Sequence, residues 1–566
     1  MITITIDGKQ IQTDASKTII DAAFENDIYI PHFCWHPALS ISGNCRLCLV
    51  EVEKMPKEVI ACSTLCTEGM VVHVNSEKAI KTRNAVMEFL LINHPLDCPI
   101  CDEAGECKLQ DYTYRYSVGE SRFDEEKVQK RKRVALGPRV MFDGERCIQC
   151  SRCIRFCDDV VGEHELTFVN RGDRVTIETF PGKELDNPYS LNVVDICPVG
   201  ALTNKDFRFK ARVWEMSHTD SVCPGCARGC SIEIWARQNE ILRLTPRANP
   251  AVNDYWMCDN GRLNSFQHVG ASTRISKPLV RRVDTLNAVA WDEAIAHVAS
   301  DLRAFKKEQI AVLGSAFATC EDNYALQKFA REVLGTEYID FIRHLVPEDQ
   351  DSLLICADKT PNSAGADIVG VKPKDADHNL DAIIRLIESR KIQALIVMDD
   401  DVASIPELAR VIDKLSYILV IASNTSPMTA RADAVLPSAT FAEKEGTFIN
   451  FQHHLQIIRP AVTTVENEGK MNAFGRSRLD AFGSEFDRWG KTEKRDCKSG
   501  WMIFTQLAAV QNVKWKFEWA EDVFEEMARN MPLLKGLSYE SIGNRGTRLV
   551  GAVEEPEFLY EDVHYL

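Results

Sequence analysis

Residues 147–157 read CIQCSRCIRFC, and residues 195–202 read DICPVGAL. The first stretch sets Cys147, Cys150, Cys153 and Cys157 at the spacing C-x2-C-x2-C-x3-C, and the second adds Cys197 followed by Pro198. Thiolate sulfur is a soft ligand that suits iron–sulfur clusters and zinc. Working outward, the chain holds 20 cysteines, of which 17 precede residue 260 and only Cys320, Cys356 and Cys497 follow. The N-terminus runs straight into the alternating Ile2, Ile4 and Ile6, which predicts no signal peptide. So many thiols at fixed spacings in an intracellular chain indicate metal binding rather than a disulfide framework.

The remaining composition is that of an ordinary folded protein, with 27% charged and 45% hydrophobic residues. Its 566 residues predict roughly four domains of about 150 each. Sixty-seven basic against 83 acidic side chains give a formal charge of −16, which disfavours nucleic acid and anionic membrane surfaces as partners. No apolar run approaches the roughly 20 residues that span a bilayer. Residues 85–92 are among the longest, and Glu88 interrupts them. Membrane association would have to come through partner subunits.

The thiols fall into four sets. Residues 1–11 predict a hairpin turning at Asp7-Gly8, and residues 16–26 a helix. A long loop then carries Cys34, Cys45, Cys48 and Cys62, with Gly43 and Asn44 ahead of Cys45. Hairpin, helix and cysteine loop with a distant fourth ligand is the layout of a plant-type [2Fe–2S] ferredoxin, although that family's first gap, C-x4-C-x2-C, is shorter. A zinc knuckle is the alternative. Cys66 has no matching partner, and His32 and His36 read as packing or hydrogen-bonding residues. A helix over 76–93, with Ile80, Met87 and Leu91 on one face, leads to His94, Cys98, Cys101 and Cys107. Three thiolates and an imidazole can complete a [4Fe–4S] cubane, and the neutral nitrogen should raise its potential. Alone, this spacing could also hold zinc as Cys3His.

The third set is the run quoted first. In bacterial two-cluster ferredoxins the fourth cysteine of each such run serves the other cluster. Counting back from Cys197, the partner run's first three cysteines would fall at Asn187, Ser190 and Val193, so one cluster has been lost. Cys197 then completes a [4Fe–4S] site with Cys147, Cys150 and Cys153, and Cys157 is an orphan buried thiol. The fourth set is Cys223, Cys226, Cys230 and Cys258, with Pro224, Gly225 and Gly229 allowing tight loops. Between its third and fourth members, residues 231–244 alternate like a small sheet.

These four sets in this order resemble the large iron–sulfur subunit of respiratory complex I, NADH:quinone oxidoreductase. The order of the first three modules also occurs in diaphorase and hydrogenase subunits of soluble NAD-linked complexes. The fourth looks like the Fe4S4 module that opens the molybdopterin oxidoreductases. The resemblance is highly specific through residue 262. It implies one [2Fe–2S] and three [4Fe–4S] clusters. It also implies an FMN/NADH-binding flavoprotein partner with its own [2Fe–2S] centre, and a downstream iron–sulfur or hydrogenase-like subunit. The location implied is cytoplasmic, with membrane contact only through other subunits.

In the second half, residues 291–305 predict an amphipathic helix, 310–313 a buried strand, and 322–334 a helix stopped by Gly335. Residues 395–398 and 419–422 predict further strands with a helix between them, which together indicate a parallel α/β sheet. Residues 432–450 resemble the matching segment of complex I and molybdopterin enzymes. A pterin's phosphates would need glycine-rich strand ends and helix N-termini. Here a strand ends in Asp399, Asp400 and Asp401. Cys356 lies at a depth where formate dehydrogenases carry a Cys beside a His, yet Ala357 follows it and His344 is 12 residues upstream. Cys356 therefore reads as a core thiol. After Gly314-Ser315 the other glycines of a dinucleotide fingerprint are missing. No NAD, flavin or pterin site and no catalytic residue is predicted.

The fold class expected is multidomain α/β and α+β. Its parts are a β-grasp ferredoxin over 1–75, a His–Cys module over 76–118 and a ferredoxin-like module over 138–215. An Fe4S4 module over 216–272 and a truncated, degenerate α/β domain over 273–460 follow, and 461–566 shows no motif. The function expected is electron relay. The rival readings are an electron-transfer subunit of a soluble hydrogenase, formate dehydrogenase or electron-bifurcating complex, a catalytic formate dehydrogenase, and a zinc scaffold.

Overall fold

The computed structural model describes residues 1–117, 119–468, 494–549 and 551. They form two compact units that divide between Trp214 and Glu215. In the first, β1 (Ile2–Ile6) and β2 (Lys9–Thr13) pair antiparallel. Asp7 and Gly8 between them both have positive φ, as a two-residue hairpin turn demands. Ile4, Ile6 and Ile11 are buried, so the alternation places one face in the core. β3 (Leu49–Val52), β4 (Val59–Ile60) and β5 (Val71–His73) complete a five-stranded sheet in the order β2-β1-β5-β3-β4.

The helix expected over 16–26 is shorter, Ile19–Phe24, because Thr18 and Asp21 form a capping box that fixes its start. The helix expected over 76–93 is Glu77–Ile92, capped by Ser76. Its buried face is only partly the one expected: Met87 faces inward, with Ala79 and Arg83, and Ile80 is exposed. Arg83 donates to the Leu49 carbonyl at 3.0 Å and lies over the Tyr116 ring, so a cation fills the position an apolar pattern would give to Ile80. β6 (Val134–Ala135), β7 (Val140–Phe142), the hairpin β8 (Leu166–Val169) with β9 (Thr176–Thr179), and β10 (Leu202–Asn204) make two small sheets beyond it.

The second unit opens with β11 (Ser217–Val222), β12 (Ser231–Arg237) and β13 (Glu240–Pro246). The last two are the expected small sheet, and β11 is a strand that was not expected. β14 (Leu279–Arg282), β15 (Thr285–Ala288), β16 (Ile310–Leu313), β17 (Ile339–Asp340), β18 (Ala394–Met398), β19 (Tyr417–Ala422) and β20 (Ala434–Pro437) form a seven-stranded sheet ordered β15-β14-β20-β19-β18-β16-β17. From β20 to β17 every pairing is parallel, as expected. β16, β18 and β19 are buried along their whole length, which is why they read as unbroken apolar runs. The helix expected between β18 and β19 is reduced to one turn, Pro406–Ala409, between 3-10 turns.

β21 (Gly446–Ile449), β22 (His454–Ile458) and β23 (Thr547–Arg548) form a further sheet. The helices Gly500–Val510 and Ala520–Asn530 bury Trp501, Phe504, Leu507, Phe524 and Met527 in the core of the seven-stranded sheet. Part of the region without a motif therefore completes the α/β layer. Among the described residues no helix is long and apolar enough to cross a membrane.

Candidate metal centres

The loop after Ile19–Phe24 wraps back on itself through left-handed residues Gly43 and Arg46. It brings Cys34, Cys45, Cys48 and Cys62 into mutual contact. The Cys34 N–H donates to Cys45 Sγ at 3.4 Å, and the thiols of Cys34 and Cys48 are each within hydrogen-bond reach of Cys62. Hydrogen bonds from Cys45 and Cys62 hold Cys34 far below the usual thiol range, while Cys45 and Cys62 are pushed up. Cys66 stands apart, facing Asp21, and burial raises it to about 11. His32 bonds the Ile30 carbonyl, and His36 Nδ1 accepts from the Ala38 N–H.

His94, Cys98, Cys101 and Cys107 line one cavity at the end of helix Glu77–Ile92. Burial, reinforced by Lys127 and Arg146, lowers His94 to about 4, so its imidazole is neutral at pH 7 and its nitrogen lone pair is free to ligate. The 197–200 loop forms part of the wall. A Cβ built on Gly200 would lie 2.3 Å from Cys101 Sγ, and the Lys108 N–H donates to the Pro198 carbonyl at 3.1 Å.

Cys147, Cys150, Cys153 and Cys197 line a small, largely apolar cavity with Phe142, Ile148 and Val199. Gln149 and Ser151 take left-handed conformations between the first three, and the Gln149 N–H donates to Cys147 Sγ at 3.4 Å. Cys157 does not line this cavity. It is fully buried, and the carboxylate of Glu165 adds to burial in pushing its thiol up. Asn187, Ser190 and Val193, where the missing run would stand, are all buried, and Asn187 donates to Glu165. Packed side chains and a polar pair fill that volume.

Cys223, Cys226, Cys230 and Cys258 line a third cavity with Gly225, Gly229 and Gly261. The Gly261 N–H donates to Cys258 Sγ at 3.3 Å, and a Cβ on Gly261 would crowd the sulfurs of Cys223 and Cys258 at 3.1 and 3.2 Å. Cys356 is buried as expected, but it lies against Cys226, the two thiols being within hydrogen-bond reach. The backbone around it holds this contact: Ala227 N–H donates to the Asp358 carbonyl at 2.9 Å, and Arg228 donates to the carbonyls of Leu353 and Leu354. No spacing signals this fifth thiol, since 98 residues separate it from Cys258.

Among the described residues no three His, Cys, Asp or Glu side chains converge as a single ion would require. The sulfurs instead line cavities or lie against one another, with side-chain-free glycines and backbone N–H groups beside them. Thiolate-held clusters need that arrangement, so the residues present fit such groups.

Counted from β16, the five parallel strands have the order 2-1-3-4-5, and ligands of such sheets sit beyond the strands' carboxyl ends. A cavity of about 690 Å³ lies there, lined by Asp399, Asp400, Asp401, Ser426 and Lys444 among others. Asp399 is held by buried Lys444 at 3.8 Å and by Ser438, and Asp400 by His344 at 2.9 Å. Asp401 accepts from the Met428 N–H at 2.9 Å, so a carboxylate already takes the helix N-terminal seat a phosphate would use. These residues do not fit a pterin pyrophosphate.

Residues 1–77 match the family described as a 2Fe-2S iron-sulfur cluster binding domain, and 83–122 the NADH-ubiquinone oxidoreductase-G iron-sulfur binding region. Residues 137–203 match the ferredoxin-like domain of NADH-quinone oxidoreductase subunit 3. Residues 216–268 match the molybdopterin oxidoreductase Fe4S4 domain, and 274–376 with 356–468 the molybdopterin oxidoreductase family. The G chain of NADH-quinone oxidoreductase from Rickettsia bellii is 41% identical over 339 residues, covering 60% of this chain and 49% of that protein. The mitochondrial NADH-ubiquinone oxidoreductase 78 kDa subunit of Neurospora crassa is 44% identical over 343 residues, covering 59% and 45%. The chain thus spans about half the length of the curated relatives it matches. A solved chain of an NAD+-reducing [NiFe]-hydrogenase in the H2-reduced state shares 31% identity over 38% of this chain and 91% of its own, with a TM-score of 0.34.

Proposed function

We propose that the chain is a large iron–sulfur subunit of the NADH-quinone oxidoreductase type, similar to its curated relatives at about 40% identity, and that it relays electrons from a flavin-bearing, NADH-oxidising partner to a further subunit. The observation that carries this reading is that each of the four ligand sets lines its own cavity or forms one contact group. When bound, iron–sulfur clusters take up and release single electrons. The chain's residues hold them apart, shield them from water and set their potentials through ligand type, burial and hydrogen bonds to sulfur.

The ligands are Cys34, Cys45, Cys48 and Cys62 for a [2Fe–2S] centre, and His94, Cys98, Cys101 and Cys107 for a [4Fe–4S] centre. Cys147, Cys150, Cys153 and Cys197 hold a second [4Fe–4S] centre, and Cys223, Cys226, Cys230 and Cys258 a third. The modules divide as a β-grasp ferredoxin, a His–Cys module, a one-cluster ferredoxin-like module, an Fe4S4 module and an α/β scaffold that carries no pterin. NADH oxidation belongs to the partner, and any membrane contact is made through other subunits.

Metal analysis of anaerobically purified chain, with EPR during stepwise reduction, tests the reading. The expected content is about 14 iron atoms per chain, without stoichiometric zinc or molybdenum. About 18 iron would make Cys157 or Cys66 a ligand of a further cubane. Stoichiometric zinc would replace a cluster by a structural ion, and stoichiometric molybdenum would make the second half catalytic.

A further inference from the structure

Arg155 is 8% exposed, and its guanidinium reaches four acceptors on two separate ligand loops. Nη2 donates to the Cys34 carbonyl and, at 3.3 Å, to the Cys150 carbonyl. Nη1 donates to the Ser40 carbonyl, and Nε to Ser151 Oγ at 3.1 Å. One planar fork therefore bonds the main chain of a cysteine from the first set and a cysteine from the third. Arg152, one turn earlier, repeats the pattern: its Nη2 donates to the Trp35 carbonyl at 2.5 Å and its Nη1 to the Ile196 carbonyl at 3.1 Å. Trp35 follows Cys34 and Ile196 precedes Cys197, so both arginines tie segments of the same two ligand sets.

What these contacts lack is a counter-charge. A buried guanidinium needs an ionised partner or leaves a costly unpaired charge. All four groups bonded to Arg155 are neutral. The nearby carboxylate, Asp159, accepts from the Ser40 N–H at 2.8 Å and attracts Arg155 less than Cys34 and Cys150 do, while the nearby Arg152 adds like charge. The stronger sources of negative charge are the thiolates of the two flanking sets, Cys34 before Cys150. A cluster held by four thiolates carries net negative charge, which grows by one on reduction.

We infer that Arg155 is a shared positioning residue that fixes the spacing of the first and third centres and raises the potential of both. This rests on the ligand assignment above. The fork sets the geometry, and the charge stabilises the added electron at either centre. A neutral residue there makes each reduced form less favourable, on the order of tenfold in the oxidised-to-reduced ratio at a fixed potential, which is about 59 mV for a one-electron couple.

The experiment is an EPR-monitored redox titration of the full, cluster-loaded chain as native, Arg155→Gln and Arg155→Lys, with iron counted in each. In Arg155→Gln, the binuclear signal and one cubane signal both move to lower potential by about that amount, while the other two cubane signals stay in place. Arg155→Lys, which keeps the charge but not the fork, leaves both midpoints within about twofold in ratio. Full iron with unmoved midpoints in Arg155→Gln, or a shift in only one of the two signals, overturns the inference while leaving the ligand assignment intact. If Arg155→Gln sheds iron, Arg155→Lys decides. Retained iron with near-native midpoints upholds the role of charge, and loss of iron there too overturns it in favour of packing. A native chain lacking the binuclear or the third-set signal overturns the assignment and this inference together.

Discussion

Gly200→Ala tests whether the 197–200 loop serves two centres at once. Gly200 has an ordinary negative φ, so alanine brings no backbone strain and the question is purely one of space. The new Cβ would stand 2.3 Å from Cys101 Sγ and 2.9 Å from Glu103 Cβ, where ordinary contact begins at 3.4 Å. Cys101 must therefore retreat by about 1.1 Å. Overpacking of this kind costs about 1–3 kcal/mol, and the lost flexibility of the unfolded glycine returns about 0.4–1 kcal/mol. The net cost is too small to unfold a chain of this size, yet a sulfur displaced by an ångström no longer meets its iron. The expected result is loss of about four iron atoms and of one cubane signal, with the other three signals and the thermal transition close to native. Gly270→Ala is the control, since nothing lies within 4 Å of the Cβ it would add. Full iron and four native signals in Gly200→Ala would refute the placement of Cys101 as a ligand beside this loop.

His94→Cys should lower the midpoint of one cubane, because a thiolate adds negative charge where a neutral imidazole stood; an unchanged midpoint in a redox titration counts against His94 as a ligand. Cys157→Ala should keep the full iron content and Cys197→Ala should lose about four atoms, and the reverse pattern in metal analysis would move the third site onto Cys157. His344 is raised by its hydrogen bond to Asp400, with Asp358 adding to the effect, so the folded state binds its proton more tightly than the unfolded chain. That contribution is fully present below about pH 6.5 and is lost as pH rises through the raised folded value. Asp400→Asn should remove this decline, whose slope cannot exceed about 1.4 kcal/mol per pH unit for one proton; parallel stability–pH curves for the two proteins, read by denaturant unfolding, would sink the pairing.

How legible the molecule was depended on the range of the interaction. Turns and strands written in neighbouring residues were readable: the Asp7-Gly8 hairpin, the buried runs of β16, β18 and β19, and the stop at Gly335, whose positive φ ends a helix. The helix Glu77–Ile92 was readable in extent but only partly in orientation. An amphipathic pattern assumes that charge faces water, and Arg83 is buried under the Tyr116 ring. β11 escaped because its Ser-His-Thr-Asp sequence is polar, and only pairing with β12 makes it a strand.

The grouping of the cysteines was legible for a chemical reason: a cluster must be held by several sulfurs at once, and most of each proposed set comes from one loop. What surrounds those sets is not constrained in that way. Arg155 reaches Ser40 across 115 residues, and Arg152 reaches Trp35 across 117. Cys356 meets Cys226 from a loop in a different part of the second unit. None of these contacts leaves a spacing that could be read in advance, because folding supplies them. The spacing of cysteines therefore carries the proposal of four centres. The buried arginines and the fifth thiol beside those sets become visible only once the loops are closed.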